Sequence, residues 1–272
     1  MLAALIIVFR EVFEAGLIVG IILAVTRSVP HRYRWIGAGI ATGLLASCVV
    51  AAFAGVLSAM FEGMGQELFN AAILAVAVVM LTWHNVWMAS HGRELASEMR
   101  AVGTAVAEGS KSLFALAIVV GVAVLREGSE VVLFLYGIVT TEGGASVALG
   151  GALGVILGVL VCVLTYRGLV QIPMRHLFGV TTTLIAFLAA GMASQAIAFL
   201  ERANWITVLD KVVWNSEWLL SDSSLLGRAL HTLIGYTDQP TAMQLVVYIV
   251  SLGVTFTLMR LAGSGQQAMR TA

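Results

Sequence analysis

Long runs of apolar residues, separated by short polar stretches, dominate this chain. A helix needs about 20 apolar residues to cross the hydrocarbon core of a bilayer. Seven runs meet this requirement: residues 3–25, 36–59, 68–89, 113–139, 146–166, 178–199 and 242–262. Because backbone polar groups inside lipid must be paired within the protein, we expect all seven spans to be α-helices.

Composition supports a polytopic membrane protein. Hydrophobic residues make up 60% of the 272 residues and charged residues only 11%, whereas a soluble domain has about 25% charged residues. The two cysteines, Cys48 and Cys162, lie inside apolar stretches and form no C-x-x-C pair, so we interpret them as packing residues. No long basic run is present. The expected surroundings are therefore the lipid bilayer, and nucleic acid is not an expected partner.

Two of the predicted spans contain the same charged motif, Arg-Glu-x-x-Glu, and the two copies start 116 residues apart. The motif residues are Arg10, Glu11 and Glu14 in the first span and Arg126, Glu127 and Glu130 in the fourth. A charge inside the bilayer costs roughly 2.5–3.5 kcal/mol. Every glutamate within a predicted span belongs to one of these motifs. Such charges indicate a functional site, in preference to ion pairs that only lock helices together.

Helical geometry brings each motif together on one face, since successive residues turn by about 100°. If the two faces meet, four carboxylates and two guanidiniums share a site with a formal charge of −2. Carboxylate oxygens are the ligands that hard cations prefer. The residues alone therefore predict a site for a hard multivalent cation. Arginine stays charged and holds neighbouring carboxylates in position.

The loop charges predict an orientation. Lys and Arg occur in segments 26–35, 90–112 and 167–177 but are absent from 60–67 and 140–145. The positive-inside rule then places the N-terminus outside and the C-terminus in the cytoplasm. Spans one and four run in opposite directions, which predicts two inverted three-helix repeats and a seventh helix.

These predictions give one transmembrane domain covering 1–272. Its parts are repeat one (1–90), a cytoplasmic linker (91–112), repeat two (113–200), an outer loop (201–241) and a seventh helix (242–262). The outer loop contains an apolar stretch at 225–234, which we interpret either as an interfacial helix or as a loop packed over the bundle.

The doubled motif resembles the oxidase-dependent iron permease family, in particular its bacterial inner-membrane branch. Further similarity lies in Gln66-Glu67-Leu68-Phe69, Leu81-Thr82-Trp83, Trp87-Met88 and Gly235-Tyr236 before Pro240. The chain departs from the family pattern at Asn70 and Leu200. The resemblance implies high-affinity uptake of iron, as ferric ion, with an extracytoplasmic oxidase or iron-delivery protein as partner. It implies that the metal ligands are Glu11, Glu14, Glu127 and Glu130, supported by Arg10 and Arg126.

Four further residues are candidates for accessory roles. Glu62, Glu67 and Glu201 lie towards the predicted outer side, where they would attract cations or remain solvated surface residues. His84 lies deep in the third span. We interpret it either as an accessory ligand or as a histidine that forms hydrogen bonds between helices.

Two other classes of function are open to the same residues. One is a proton-coupled carrier for another divalent metal or an organic cargo, with the glutamates carrying protons. The other is an intramembrane enzyme, which we disfavour because the chain has no His-Glu-x-x-His motif and no Ser/His or Cys/His arrangement. We therefore expect no enzyme activity and no tightly bound cofactor, only the transported iron.

Overall fold

The computed structural model of the protein describes residues 1–60, 66–168, 174–222 and 224–271. Within these residues it has eight helices and no β-strand, and one isolated bridge joins Val212 to Thr241. The helices are α1 (Leu2–Val25), α2 (Arg32–Met60), α3 (Gln66–Ala107), α4 (Phe114–Glu142), α5 (Gly144–Tyr166), α6 (Met174–Arg202), α7 (Leu225–Ile234) and α8 (Ala242–Thr271). The prediction of an all-helical chain is confirmed.

Five of the helices are long and apolar enough to cross a membrane. The segments concerned are Arg32–Val56, Glu67–Met88, Gly144–Tyr166, Gly179–Arg202 and Ala242–Ala262. Helices α1 and α4 have comparable lengths of 24 and 29 residues. They are not among these five because each carries the three charges of one motif. The chain is thus a multi-pass membrane protein, and its two charged helices are the ones that hold the candidate site.

Helix α3 is longer than the predicted third span. The segment predicted as a linker, 91–112, is helical as far as Ala107. Its residues are mostly good helix formers, and Leu95 and Met99 pack against the apolar group that contains Ile22. The apolar contacts explain why the helix continues beyond the apolar run. Helix α8 likewise extends beyond the predicted end at residue 262.

The apolar stretch in the predicted outer loop forms the short helix α7. Its N-terminus is capped by the Ser224 side chain, which accepts a hydrogen bond of 2.9 Å from the backbone N–H of Gly227. The helix ends at Gly235, whose φ of +69° is readily adopted only by a residue without a Cβ. Helix α7 packs against α6 and α1.

Helices pair across the two halves of the chain. Helix α1 packs mainly on α5, α2 packs mainly on α4, and α3 packs on α6. Helices α1 and α4 also contact each other and α3. Exchanging α1, α2 and α3 for α4, α5 and α6 turns the α1–α5 pair into the α4–α2 pair and leaves the α3–α6 pair unchanged. The packing therefore has the pattern of two equivalent units.

Glycines allow the closest of these helix approaches. A Cβ at Gly43 of α2 would lie 2.7 Å from the carbonyl oxygen of Gly121 on α4, and a Cβ at Gly154 of α5 would lie 2.8 Å from that of Leu5 on α1. Leu5 and Gly121 are separated by the same 116 residues as the two motifs. Equivalent glycine contacts therefore hold both charged helices at equivalent positions.

Two apolar cores lie on either side of the motifs along α1 and α4. One core includes Ile7, Leu81 and Phe134, and the other includes Ile22 and Val120. The motif residues lie between these cores in the sequences of both helices. A charged layer is therefore enclosed between two apolar layers.

Candidate metal centre

The first motif is held rigidly on the inner face of α1. The Nε atom of Arg10 donates to Oε1 of Glu14 at 2.7 Å, one helical turn away. The Nη1 atom of Arg10 donates to Oδ1 of Asn85 on α3 at 2.9 Å. Arg10 and Glu11 are fully buried and Glu14 is 3% exposed. Buried charges persist only when they are paired and hydrogen-bonded, and Arg10 meets this condition through two helices.

The second motif has the same internal pair but a more open setting. The Nε atom of Arg126 lies 3.3 Å from Oε1 of Glu130, again one turn away. The guanidinium carbon of Arg126 lies 4.1 Å from the centroid of the Trp87 ring, which is a cation–π contact. Arg126 is 33% exposed. A cavity of about 470 Å³ borders Arg126 and Glu130 and is lined by Trp83, His84 and Trp87 among other α3 residues.

His84 of α3 connects the two motifs. Its Nε2 atom lies 3.5 Å from Oε2 of Glu14 and 4.0 Å from Oε2 of Glu11. Its Nδ1 atom lies against Oε2 of Glu130. The histidine is only 3% exposed. A residue treated as an accessory in the sequence thus contacts glutamates from both copies of the motif.

Four side chains are arranged so that they can hold one metal ion. Glu11, His84, Glu127 and Glu130 each offer one ligand atom, and these atoms lie within 4.8 Å of one another. Glu14 is outside this group of four but contacts it through His84. Five carboxylate oxygens on the four motif glutamates make no hydrogen bond within the described residues, and two of these, Oε2 of Glu14 and Oε2 of Glu130, contact the His84 ring. Buried polar atoms of this kind normally have a partner, so the geometry fits a cation bound between them.

The remaining predicted residues are not brought to this centre. Glu67 is exposed in the first turn of α3, and His84 lies 17 positions further along, which corresponds to about 25 Å of helix. Glu201 accepts hydrogen bonds from Thr241 at 2.8 Å and Gln244 at 3.2 Å, so it ties the end of α6 to the start of α8. Glu62 lies outside the described residues. Roles for these glutamates stay predictions.

Asn85 and Trp87 belong to the site, although the sequence did not assign them to it. The signal was the polar run Trp83-His84-Asn85 within an otherwise apolar span. Asn85 is 1% exposed and binds Arg10, while Trp87 stacks on Arg126. Helix α3 thus supplies one positioning contact to the arginine of each motif.

A buried cluster of carboxylates within a bundle of apolar helices is typical of one class of protein, the multi-pass membrane transporters. Comparison with known proteins agrees with this class. Residues 1–263 match the profile of the iron permease FTR1 family, so the chain belongs to that family. The resemblance seen in the sequence is confirmed.

Curated relatives cover nearly the whole chain. The chain is 32% identical to a ferrous iron permease EfeU of Escherichia coli O6:H1, over 97% of this chain and 98% of the relative. It is 32% identical to one of Yersinia pestis, over 93% of this chain and 90% of the relative. It is 33% identical to one of Yersinia pseudotuberculosis, over 90% and 87% respectively. No solved structure matches the chain. The relatives are permeases, which are transporters and not enzymes.

Proposed function

We propose that this protein carries iron across the cell inner membrane into the cytoplasm, with Glu11, Glu14, Glu127 and Glu130 as its metal ligands. One observation carries the proposal: glutamates from two motifs 116 residues apart lie in a single buried cluster with unpartnered carboxylate oxygens. Family membership supports iron as the cargo.

Charge supports a cationic cargo. With Arg10 and Arg126 counted, the four glutamates leave a formal charge of −2. Burying a charged group without a partner inside the protein costs roughly several kcal/mol of free energy per ion. A bound cation removes that charge and supplies the missing partners of the carboxylate oxygens. The two arginines pair with Glu14 and Glu130 and orient them without blocking all of the carboxylate oxygens.

The proposed topology has seven membrane-crossing helices, α1–α6 and α8, in a single permease domain. Helices α1–α3 and α4–α6 form two inverted repeats around the metal centre. The exchange symmetry of the helix pairs and the equivalent contacts at Gly43 and Gly154 support this arrangement. The distribution of Lys and Arg supports an N-terminus outside and a C-terminus in the cytoplasm.

The cargo reaches the centre from the outer side, where an oxidase or iron-delivery protein supplies it. The resemblance to oxidase-dependent permeases implies ferric ion, whereas the curated relatives are named as ferrous iron permeases. The uptake experiment must therefore compare ferrous with ferric iron. Glu67, Glu62 and Glu201 are the proposed accessory residues on the outer side.

The decisive experiment is uptake of radioactive iron by iron-starved cells that express the chain, with ferrous and ferric iron supplied separately. Glu14→Gln/Glu130→Gln keeps side-chain size and removes two ligand charges, so uptake should fall to background at normal membrane abundance. Glu94→Gln/Glu98→Gln makes the same chemical change at two exposed positions of α3 and should leave uptake intact. Normal uptake by the Glu14/Glu130 variant would refute the proposed site. Absent iron uptake by the wild type would favour the proton-coupled carrier of another cargo.

A further inference from the structure

We infer that His84 is a nitrogen ligand to the transported ion and makes the site prefer ferrous iron and later divalent transition metals over Mn²⁺, Mg²⁺ and Ca²⁺. The inference rests on the proposed function, because it requires the motif glutamates to hold the ion. It goes further by naming the residue that sets the choice among divalent ions.

The position of His84 is that of a central ligand. Its two ring nitrogens face opposite motifs, with Nε2 3.5 Å from Glu14 and Nδ1 against Glu130. Its ligand atom lies within 4.8 Å of those of Glu11, Glu127 and Glu130. An ion bound among the glutamates would therefore contact the imidazole as well.

The ring is buried among carboxylates from both motifs. His84 is 3% exposed, its Nδ1 atom lies against Glu130, and its Nε2 atom lies 3.5 Å from Glu14 and 4.0 Å from Glu11. These carboxylates are the proposed metal ligands, so the imidazole lies where the ion would bind. A metal ion on one nitrogen, with the other donating to a carboxylate, satisfies both atoms, and metal-binding histidines usually have this arrangement.

The neighbouring residue fixes the position of the ring. Asn85 is 1% exposed and accepts a hydrogen bond from Arg10 at 2.9 Å. This bond joins α3 to α1 at the level of the first motif. The backbone that carries His84 is thereby held at a fixed distance from Glu11 and Glu14.

Ligand chemistry then determines the preference. Carboxylates alone suit Mg²⁺, Ca²⁺ and Mn²⁺, whereas an imidazole nitrogen suits iron and the later divalent metals. A neutral imidazole adds a ligand without altering the formal charge of −2 on the four glutamates and two arginines. That charge is balanced by a divalent ion, and the mixed nitrogen and oxygen ligand set favours the ferrous form.

The test compares the binding of two redox-stable ions. Co²⁺ should gain affinity from an imidazole ligand, whereas Mn²⁺ should gain little. Both are titrated into the purified full chain by calorimetry. In His84→Gln and His84→Met the dissociation constant for Co²⁺ should rise at least about tenfold, while that for Mn²⁺ changes less than about threefold. His31→Gln is the matched control, since His31 is an exposed histidine just before the start of α2, and it should preserve both constants.

Equal weakening of both ions, or no change in either, would overturn the inference, because His84 would then act only on structure or not at all. Two variants are used because the thioether of methionine preserves apolar packing if the glutamine amide disturbs it. Pulsed electron resonance of Co²⁺ bound to wild-type chain labelled with ¹⁵N-histidine requires no variant. A directly bonded histidine nitrogen is expected, and its absence would also overturn the inference. Selective Co²⁺ binding without cellular iron uptake would refute the proposed function and leave the role of His84 intact.

Discussion

Arg10 and Arg126 occupy equivalent positions in the two motifs, yet Arg10 is completely buried and Arg126 is one-third exposed. Arg10 is bound by both Glu14 and Asn85. Arg126 has a longer contact with Glu130 and stacks on Trp87 beside a cavity. Two copies of one sequence motif therefore have different surroundings: the first is packed between helices, and the second borders a cavity.

Lysine substitutions should separate the roles of the two arginines. Lysine keeps the charge but lacks the planar fork that lets Arg10 bind two partners at once. We expect Arg10→Lys to lower both the melting temperature in detergent and the uptake rate, with a stability loss of about 1–3 kcal/mol. Arg126→Lys should retain stability and lose mainly uptake. Equal melting temperatures for the two variants would contradict the assignment of Arg10 as the structural arginine.

The cavity beside Arg126 should contain water, because charged groups at membrane depth are stable only near water or a partner. Met80 lines this cavity. In a chain with Cys48 and Cys162 replaced by alanine, the variant Met80→Cys should therefore react with a membrane-impermeant thiol reagent. Leu81→Cys is the control, since Leu81 is fully buried. Labelling is read by mass shift. Protection of Met80→Cys to the same degree as Leu81→Cys would show that the cavity is closed to water.

The close helix contacts predict a sharp cost for one added methyl group. Gly43→Ala and Gly154→Ala would each force a Cβ to within 3 Å of a backbone carbonyl oxygen, and backbone cannot move aside cheaply. We expect losses of about 1–3 kcal/mol in stability. Gly37→Ala, also on α2, has no atom within 4 Å of the new Cβ and should be neutral or slightly stabilising. Thermal unfolding in detergent measures all three, and equal melting temperatures would argue against these contacts.

Asn85 provides a test of positioning. Asn85→Leu removes the acceptor of the Arg10 Nη1 hydrogen bond and leaves a buried guanidinium donor unpaired. We expect a stability loss of about 1–3 kcal/mol together with a higher KM for iron, because Arg10 no longer holds Glu14 firmly. Asn70→Leu, at a half-buried asparagine in the second turn of the same helix, is the control. An unchanged KM in a destabilised Asn85 variant would limit the residue to a structural role.

The sequence predicted helices from apolar run length, and helical spacing placed the residues of each motif on one face. It left open whether the two faces meet, because that depends on contacts between helices. It did not predict that α3 continues to Ala107, since Leu95 and Met99 gain their packing from distant Ile22. The central position of His84 and the partners of Arg10 also depend on contacts between helices. Identical motifs give no indication that Arg10 is buried and Arg126 is not, because the difference lies in Asn85 and Trp87 on a third helix.

The apolar layers around the charged centre have a kinetic consequence. Along α1 and α4, the cores containing Ile7 and Ile22 lie on either side of the motifs, so an ion that leaves the centre along either helix meets a packed apolar layer. Each ion must wait for packed helices to rearrange, a motion on the microsecond-to-second scale. Flux should therefore saturate at the turnover of a carrier and depend steeply on temperature, and no single-channel current should accompany iron movement.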